Sequence, residues 1–580
     1  MTNAAILSPV HSPTWMVYRR PIRCTDGHDR RWERLSINDS DALERSFLAE
    51  SASDVDVQFK RYTANAKGRW MQAYYWRENK WPLVRGTWFW KDSRDGRICP
   101  FGEADAATME EAFRDISSGI EEGPIDVELV DTDIVSGVVQ FVREVKTQPT
   151  AQQPDSTLSP PPAESKSKTV ITHTLYRQTT STSTRPDQAE VYRGYPIEWL
   201  PSSEEKLDTA VSHLVLVVHG IGEALYNRQN DPLMGSLRFR GNCDLFRENL
   251  NNSLLESGDK TISGRIEVLP LEWAECIHNN VLDRRLESVT IPNLTGVRDF
   301  ANLALSDVFL YTQPDIKEKI SKFMSIRIKN IVKKFIAKHE TENPIVTFVG
   351  HSLGSVVLHD LFNGRSRSND AETSSRSQSP LPVDEEDMVR PAAMFFVGSP
   401  MAMFQTIRDP SVSESPRHFM DLPCRLFNIF HPYDAIAYRI EPLVDSRMKD
   451  LEPVVVPHRG GHRVHVALRK SVMEIKHAIA MFGEWVQSTA AAPSASKPVS
   501  SSGGASTPVN PEKEEVRFVK MVNYNERIDY MLQESAVESV SEWVSAVGSH
   551  FTYWRHEDVY TFIVNKLIFI TKNRANLNFF

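Results

Sequence analysis

The sequence predicts an α/β protein whose main region is a mostly parallel sheet with helices on both faces. Two observations predict the sheet: short continuous apolar runs recur after residue 190, and helical stretches separate them. Continuous apolar runs are typical of strands buried on both faces, and alternation with helices is typical of parallel connections. A third observation, seven tryptophans between residues 15 and 90, predicts a separate, small α+β region near the N-terminus.

Composition and charge limit the class of protein. The chain has 580 residues, of which 41% are hydrophobic and 25% charged, as in soluble globular proteins. Its net charge of -9 argues against nucleic acid as the main partner, because phosphate binding needs a basic surface. Residues 1–13 lack a secretory signal, no apolar run is long enough to span a bilayer, and the five cysteines show no paired spacing. We therefore expect a cytoplasmic protein with free thiols that meets membranes peripherally.

The tryptophan-rich region, residues 14–146, contains a weak internal repeat with an offset of 66 residues. Its common core, D-x-x-x-x-E-x-x-F, predicts a short capped helix in each copy. The repeat resembles that of tryptophan-tryptophan-glutamate (WWE) modules, and we expect its aromatic residues to build a core rather than to bind a ligand. The aligned pairs are Trp15 with Trp81, Leu35 with Phe101, Asp39 with Asp105, Glu44 with Glu110, and Phe47 with Phe113.

Polar, low-complexity tracts divide the rest of the chain. We predict a disordered linker at 147–189, followed by one α/β region at 190–580 with flexible insertions at 363–387 and 488–513. The predicted strands of this region are His213–Val218, Arg265–Leu271, Pro344–Val349, Ala392–Val397, Arg425–Phe430 and, after the last insertion, Val516–Val522.

The strongest functional signal is the run Gly350-His351-Ser352-Leu353-Gly354. It follows an apolar strand and opens into a helix-forming stretch, which is the context in which a G-x-S-x-G turn presents the nucleophile of an α/β-hydrolase. The turn is tight, so small residues are needed on both sides of the serine, and Gly350 and Gly354 supply them. We therefore predict an α/β-hydrolase-like fold with Ser352 as its nucleophile.

A second glycine-rich turn, His219-Gly220-Ile221-Gly222, follows the predicted strand His213–Val218. A turn at this strand end can aim backbone N–H groups at the oxyanion of an acyl-transfer reaction. We predict that the N–H of Leu353 and an N–H from Ile221 or Gly222 form this oxyanion hole. The position of His219 in the loop favours a structural hydrogen bond over a role as catalytic base.

A serine nucleophile needs a base, and the base needs an acid that orients it. In this fold both follow the serine in the chain, the acid first. The best acid is Asp434, just past a predicted strand end, and Asp445 and Asp529 compete with it. Chain order does not choose the base, although aromatic residues that exclude water flank His550. The candidate histidines are His458, His462, His465, His477, His550 and His556.

Several motifs, in the right order, resemble those of the DDHD domain. They are GHSLGS around Ser352, FHPYDAIAYRIEPL around Asp434, RIDYMLQ around Asp529, and SHFTYWRHED around His550 and Asp558. Together they are similar to the intracellular phosphatidic-acid-preferring phospholipase A1 family over residues 190–580, with the DDHD domain at about 385–575. The resemblance implies a triad of Ser352, Asp434 and His550, with Asp529 and Asp558 supporting the site.

The resemblance also implies a function. The expected reaction is hydrolysis of the sn-1 ester of glycerophospholipids, phosphatidic acid being preferred, on endomembranes such as the endoplasmic reticulum and Golgi. Serine chemistry requires no cofactor; metal binding by the DDHD residues and assembly into a homo-oligomer are left open. Two alternatives remain: a lipase for neutral glycerides, which a triad permits, and a non-catalytic membrane-tethering or lipid-binding DDHD module, against which the complete Ser352 motif argues.

One further stretch bears on lipid surfaces. Asp315–His339 reads as an amphipathic helix with one apolar and one basic face. We expect the apolar face to pack on the sheet and the basic face to attract anionic membranes, with a merely solvated basic face as the alternative.

Overall fold

The computed structural model divides the chain into two compact units, Met1–Glu205 and Lys206–Phe580. The residues that the structure describes are 13–19, 31–77, 80–92, 96–121, 123–130, 135, 137–147, 167–177, 187–196, 211–221, 239–277, 288–289, 307–340, 344–363, 389–408, 424–458, 514–533, 549–550 and 552–573. The predicted insertion at 488–513, and that at 363–387 beyond its first residue, lie outside these ranges.

The first unit contains two antiparallel sheets, each of six strands among the described residues. Their strand orders are β2-β1-β6-β5-β4-β3 and β8-β7-β12-β11-β10-β9. The strands are β1 (Thr14–Arg19), β2 (Arg31–Arg34), β3 (Val55–Val57), β4 (Tyr62–Asn65), β5 (Trp70–Ala73), β6 (Trp81–Gly86), β7 (Trp88–Lys91), β8 (Ile98–Pro100), β9 (Ile125–Glu128), β10 (Gly137–Thr147), β11 (Ser167–Arg177) and β12 (Asp187–Arg193). The helices are α1 (Ile37–Leu48) and α2 (Glu103–Ser118).

Two equivalent clusters show the internal repeat in three dimensions. In the first, Trp15 donates from its indole Nε1 to Glu44 (3.2 Å), and Arg85 binds the same carboxylate through two nitrogens (2.8 and 2.7 Å). In the second, Trp88 donates to Glu110 (3.1 Å), which Arg193 binds in the same way (3.0 and 2.6 Å). Trp15 and Trp88 are fully buried, so both build the core of their sheets.

The predicted alignment of Trp15 with Trp81 was therefore wrong, because the structural counterpart of Trp15 is Trp88. The carbonyl of Trp15 accepts from Leu35 N–H (2.9 Å) as the carbonyl of Trp88 accepts from Phe101 N–H (3.0 Å). A constant offset fails here since the connection from strand to helix is longer in the first copy than in the second. The helical pairs keep their register, because Glu44 and Glu110 play the same part.

The structure also corrects the predicted linker. β11 lies inside residues 147–189 and pairs along its whole length with β10. The sequence T-V-I-T-H-T-L-Y consists mostly of β-branched and aromatic residues, which are enriched in strands. The Pro- and Ser-rich composition of the preceding residues masked that signal.

The second unit is built on a seven-stranded sheet that is parallel in every pair, with the order β14-β13-β15-β16-β17-β19-β18. Its strands are β13 (Val211–Val218), β14 (Arg265–Leu271), β15 (Ile345–His351), β16 (Ala393–Val397), β17 (Arg425–Phe430), β18 (Val454–Val455) and β19 (Asp529–Met531). Its helices are α3 (Phe239–Ser257), α4 (Pro314–His339), α5 (Leu353–Asn363), α6 (Met401–Arg408), α7 (Glu441–Val444), α8 (Glu514–Val522) and α9 (Glu557–Lys572). The predicted α/β class and parallel sheet are confirmed.

One predicted strand is a helix. Val516–Val522 lies in α8, although its composition suggested a strand. The apolar residues recur with a spacing of three, and Val519 and Val522 are buried while Met521 is 63% exposed. That spacing is typical of a helix with one buried face.

Helices cover both faces of the parallel sheet. On one face, Val215 and Val217 of β13 share an apolar core with Phe246 of α3 and Phe562 of α9. Neighbouring residues of a strand point to opposite faces, so Leu216 of β13 faces the other side. There α5 packs against β13, β15 and β16, and α4 packs against α5.

The predicted amphipathic helix is α4. Its apolar face is buried at Ile320 and Phe335, and Ile326 on the opposite face is 59% exposed. Among the basic residues of this helix, Lys317 pairs with Asp360 (3.0 Å), Arg327 pairs with Glu272 (3.9 Å), and Lys322 pairs with Glu318 one turn before it (4.0 Å). The exposed lysines of the helix are Lys319, Lys322, Lys333 and Lys334.

Parallel strands bring their carboxyl ends to one edge of the sheet, where sites of α/β proteins form. β13, β15, β16 and β17 are consecutive neighbours at the centre of this sheet. The residues that directly follow them are His219, Ser352, Gly398 and His431. These four turns therefore define the edge at which the candidate site lies.

Candidate active site

Ser352 occupies a strained turn between β15 and α5. Its φ is +53°, a left-handed conformation that side-chain-bearing residues rarely adopt. The turn is held by hydrogen bonds from Ser352 N–H to the Val397 carbonyl (3.1 Å) and from Ser355 N–H to the Ser352 carbonyl (3.0 Å). Strain of this kind persists where surrounding contacts impose it, commonly at reactive centres.

The glycines around Ser352 are required by close contacts. A Cβ at Gly350 would lie 2.6 Å from Ser355 Cα, and one at Gly354 would lie 2.3 Å from the Val218 carbonyl oxygen. A Cβ at Gly220, in the turn after β13, would lie 2.4 Å from Ser352 Cβ. Only glycine lets these backbone segments pack at such distances, so the turn after β13 is pressed directly against the serine.

Asp434 and His550 form a buried pair. The ring Nδ1 of His550 lies 3.0 and 2.9 Å from the two carboxylate oxygens of Asp434, although 116 residues separate them in the chain. The His550 carbonyl is 2.9 Å from Nε2 of His351, which places His550 next to the residue that precedes Ser352. The structure thus brings together the predicted acid and base at the edge that carries the predicted nucleophile.

The electrostatics of this pair favour an ionised Asp434. Burial alone would raise the pKa of Asp434, but hydrogen bonds from His550, Tyr553 and the Ile436 N–H, with the charge of the imidazole, hold it below its usual value. Burial and the neighbouring His550 lower the pKa of His351 to about 3. His351 therefore remains neutral while a charge forms on His550.

Tyr553 is a site residue whose contact the sequence did not reveal. Its hydroxyl donates to Asp434 Oδ2 (2.6 Å) and accepts from the His431 N–H (2.9 Å). Burial, followed by the charge of Asp434, raises its pKa well above the usual value, so the hydroxyl stays protonated and donates. The sequence placed Tyr553 only among the aromatic residues that flank His550.

Gly398 was also missed, and it joins the serine to the Asp434–His550 pair. It follows Val397, whose carbonyl holds Ser352, and has a φ of +58°. A Cβ here would lie 2.8 Å from Asp434 Oδ2, 2.8 Å from a ring carbon of Tyr553 and 3.2 Å from His550 Nδ1. The glycine after a buried apolar strand was the only sequence signal.

The predicted oxyanion loop is described only in part. Gly222 lies outside the described residues, whereas Ile221 follows Gly220 at the serine. His219 is fully buried, with Nδ1 2.7 Å from the Gly220 carbonyl and its ring stacked on Trp273 (5.6 Å between centroids). These contacts give His219 a packing role, and the oxyanion donors remain a prediction.

Asp529 lies at the base of the loop that carries Asp434. It accepts from the N–H groups of Ile440 (3.0 Å) and Glu441 (3.1 Å) and from the Asn428 amide (2.9 Å). Burial and the adjacent Glu441 carboxylate raise its pKa, and Arg439 lies 3.4 Å from it. Asp529 therefore fixes the end of the loop that carries Asp434.

Asp558 pairs with a second histidine. Its carboxylate lies 3.0 and 3.2 Å from His458 Nδ1, and His556 Nδ1 lies 3.9 Å away. Asp445, the other competing acid, binds Arg447 (3.0 and 2.7 Å) in its own turn. The remaining candidates His462, His465 and His477 lie outside the described residues.

A metal site is not formed by the predicted residues that the structure describes. Within those ranges, no group of three or more His, Cys, Asp or Glu side chains is arranged to hold a metal ion. The four residues of the DDHD pattern divide instead into the Asp434–His550 pair, the Asp558–His458 pair and the loop anchor Asp529.

Within the ranges that the structure describes, no helix combines the length and the apolar composition that crossing a bilayer requires.

Comparison with known proteins finds a family match for the part of the chain that carries Asp434 and His550. Residues 389–516 and 489–568 match the DDHD domain. The human protein named triacylglycerol hydrolase DDHD2 is 24% identical over 98% of this chain and 94% of its own length. The Schizosaccharomyces pombe protein named probable phospholipase C20G8.02, mitochondrial, is 24% identical over 92% of this chain and 84% of its own. Phospholipase DDHD1 from Bos taurus is 24% identical over 74% of this chain and 50% of its own.

The fold and the site define an α/β protein with a strained serine and a buried Asp–His pair at the carboxyl edge of a parallel sheet. The family match covers the strands, loops and helix that carry Asp434, Asp529, His550 and Asp558. The chain contains a DDHD domain within residues 389–568.

Proposed function

We propose that this protein is a serine hydrolase that cleaves carboxylic ester bonds of glycerolipids. The observation that carries the proposal is the hydrogen-bonded Asp434–His550 pair beside the strained Ser352. The names of its relatives, a triacylglycerol hydrolase and two phospholipases, support lipid as the substrate class. Within that class we propose sn-1 cleavage of glycerophospholipids, with phosphatidic acid preferred.

The proposed first step is acylation of Ser352. Asp434 accepts the Nδ1 proton of His550, so Nε2 on the opposite edge of the ring is the basic nitrogen. His550 takes the proton of the Ser352 hydroxyl as its oxygen attacks the ester carbonyl carbon. The tetrahedral intermediate collapses, the ester C–O bond breaks, and His550 returns the proton to the departing lysophospholipid oxygen.

The proposed second step is hydrolysis of the acyl-enzyme. His550 removes a proton from water, which attacks the acyl carbonyl and releases the fatty acid, and the proton returns to Ser352. In both steps backbone N–H groups of Leu353 and Ile221 or Gly222 stabilise the oxyanion, each donor contributing about 3 kcal/mol. Asp529 and Asp558 support the loops around the triad without contacting the reacting atoms.

We propose that the protein works at the surface of anionic membranes. The exposed lysines of α4 support this, because each basic residue near an anionic surface contributes about 1 kcal/mol. The endoplasmic reticulum and Golgi remain our expectation for its location, while the S. pombe relative bears a mitochondrial name. The α/β-hydrolase-like fold and the WWE-like first unit belong to the same proposal, with the limits of the two units as the structure has them, Met1–Glu205 and Lys206–Phe580.

The test is fatty-acid release from vesicles of phosphatidylcholine with phosphatidic acid, labelled separately at sn-1 and sn-2, and from a triacylglycerol emulsion. We expect sn-1 release by the wild type and its loss in Ser352→Ala, with Ser325→Ala, a buried serine on α4, as the control. Equal release by wild type and Ser352→Ala would contradict the proposal. Equal and negligible release with retained vesicle binding would instead favour a membrane-tethering module.

A neutral-glyceride lipase is the second candidate. The printed name of the human relative, which matches most of both chains, favours it. Faster release from the emulsion than from the vesicles, lost in Ser352→Ala, would select this substrate while keeping the serine mechanism.

A further inference from the structure

The loop that carries Asp434, residues 431–440, is unusually apolar for an exposed segment. It reads His-Pro-Tyr-Asp-Ala-Ile-Ala-Tyr-Arg-Ile, and the one carboxylate in it is buried against His550. The one arginine, Arg439, turns toward Asp529 (3.4 Å). The tip of the loop, residues 435–438, therefore carries no charged side chain that would lose water on entering an apolar environment.

Several backbone groups of the loop have hydrogen-bond partners within the protein. Ile436 N–H donates to Asp434 Oδ1 (2.9 Å) and Tyr438 N–H to the Ser399 carbonyl (2.9 Å). The Tyr438 carbonyl accepts from the Asn428 amide (2.9 Å). Backbone groups with internal partners are the condition for placing a chain segment in lipid, where water cannot bond them.

The side chains of the same residues point outward. Ile436 is 38% exposed and Tyr438 is 43% exposed, and Pro432 and Ala435 are exposed beside them. A single exposed apolar residue needs no explanation, but contiguous ones on a fixed loop mark a contact surface. Tyr438 adds a ring with a polar tip, a side chain suited to the boundary between lipid and water.

We propose that the 431–440 loop is the surface by which this protein inserts into a lipid layer, with Ile436 and Tyr438 as its anchors. The inference rests on the proposed function, since a lipid surface is where the substrate of that reaction lies. The loop is continuous with the site through Asp434, so insertion brings the Asp434–His550 pair to the lipid boundary. The exposed side chains of Ala435, Ile436 and Tyr438 carry no charge, so this surface fits a lipid layer better than the polar surface of another protein.

Vesicle binding in an inactive background tests the inference separately from catalysis. Ser352→Ala is compared with the same chain carrying Ile436→Ser and Tyr438→Ser, by sedimentation with pure phosphatidylcholine vesicles, which exclude attraction by anionic lipid. The matched control carries Ile407→Ser and Tyr524→Ser, which are 73% and 40% exposed in the native chain. We expect the loop pair to lower vesicle affinity about tenfold, and the control pair to change it less than about twofold, as apolar burial predicts.

A conservative double variant and a stability measurement distinguish lost lipid contact from misfolding. Ile436→Leu with Tyr438→Phe keeps the apolar surface and should bind as the Ser352→Ala parent does, and thermal unfolding midpoints report whether each variant folds. If the serine pair unfolds, either single substitution is measured instead. Unchanged binding of the folded serine variants, or absence of binding by the parent itself, would overturn the inference. Failure of the proposed function would appear elsewhere, as ester hydrolysis that Ser352→Ala leaves intact.

Discussion

Replacing Tyr553 with phenylalanine removes one hydroxyl and thereby two hydrogen bonds of the site. The carboxylate of Asp434 loses one of its three donors, the others being His550 and the Ile436 N–H, and the His431 N–H loses its acceptor. A hydrogen bond to a charged group contributes about 1.5–3 kcal/mol, so the free energy of unfolding should fall by about 2 kcal/mol. The less constrained Asp434 orients His550 less well, and we expect kcat to fall about tenfold, equivalent to ~1.4 kcal/mol, with little change in KM.

Tyr311 provides the matched control. It is fully buried and its hydroxyl donates to the Asp360 carboxylate (2.8 Å), a tyrosine–aspartate pair on other elements of the same unit. Tyr311→Phe should lose similar stability and keep its kcat for a water-soluble short-chain ester. If Tyr553→Phe loses stability as the control does but keeps its kcat within about twofold, Tyr553 does not position Asp434 for the reaction.

Three further predictions follow from buried contacts. Gly398→Ala would place a methyl 2.8 Å from Asp434 Oδ2 and should lower activity at least about 100-fold, whereas Gly258→Ala, also at positive φ (+64°) but in open space, should lose only stability. Asp529→Asn should lower the free energy of unfolding by about 1–3 kcal/mol in chemical denaturation, because the amide nitrogen replaces an oxygen that accepts from a buried backbone N–H group and leaves that donor unsatisfied. Because Asp434 has a lowered pKa, its stabilisation is present above its unfolded pKa of about 3.9 and is lost as pH falls through the folded value. The free energy of unfolding of Asp434→Asn should therefore be lower than that of the wild type at about pH 6 and approach it at about pH 2. A difference in free energy of unfolding that does not change with pH would contradict this.

The sheet and its reactive edge could be predicted because their signals are local. A continuous apolar run predicts a buried strand, and a G-x-S-x-G turn between strand and helix requires glycine for contacts that the structure displays at Gly350 and Gly354. The pairing of Asp434 with His550 came from resemblance, since residue spacing left several histidines open. The structure brings that pair into contact, while the catalytic roles remain predictions.

What the sequence could not predict depends on contacts between distant residues. Asp529 binds the Glu441 N–H across 88 residues, and Tyr553 binds Asp434 across 119, and no local pattern specifies either partner. The counterpart of Trp15 was misassigned for a similar reason, because a fixed offset ignores an unequal loop. Val516–Val522 was misread since short apolar runs fit a strand or a helix until one face is seen to be buried.

The most direct test of the central claim is the location of a covalent adduct. A long-chain alkyl fluorophosphonate, which phosphonylates activated serines, is incubated with the chain, and the modified residue is identified by peptide mass spectrometry. We predict one adduct, on Ser352, formed much more slowly in His550→Gln because the base that activates the serine is gone. An unmodified Ser352 in a chain that still hydrolyses lipid esters would contradict it.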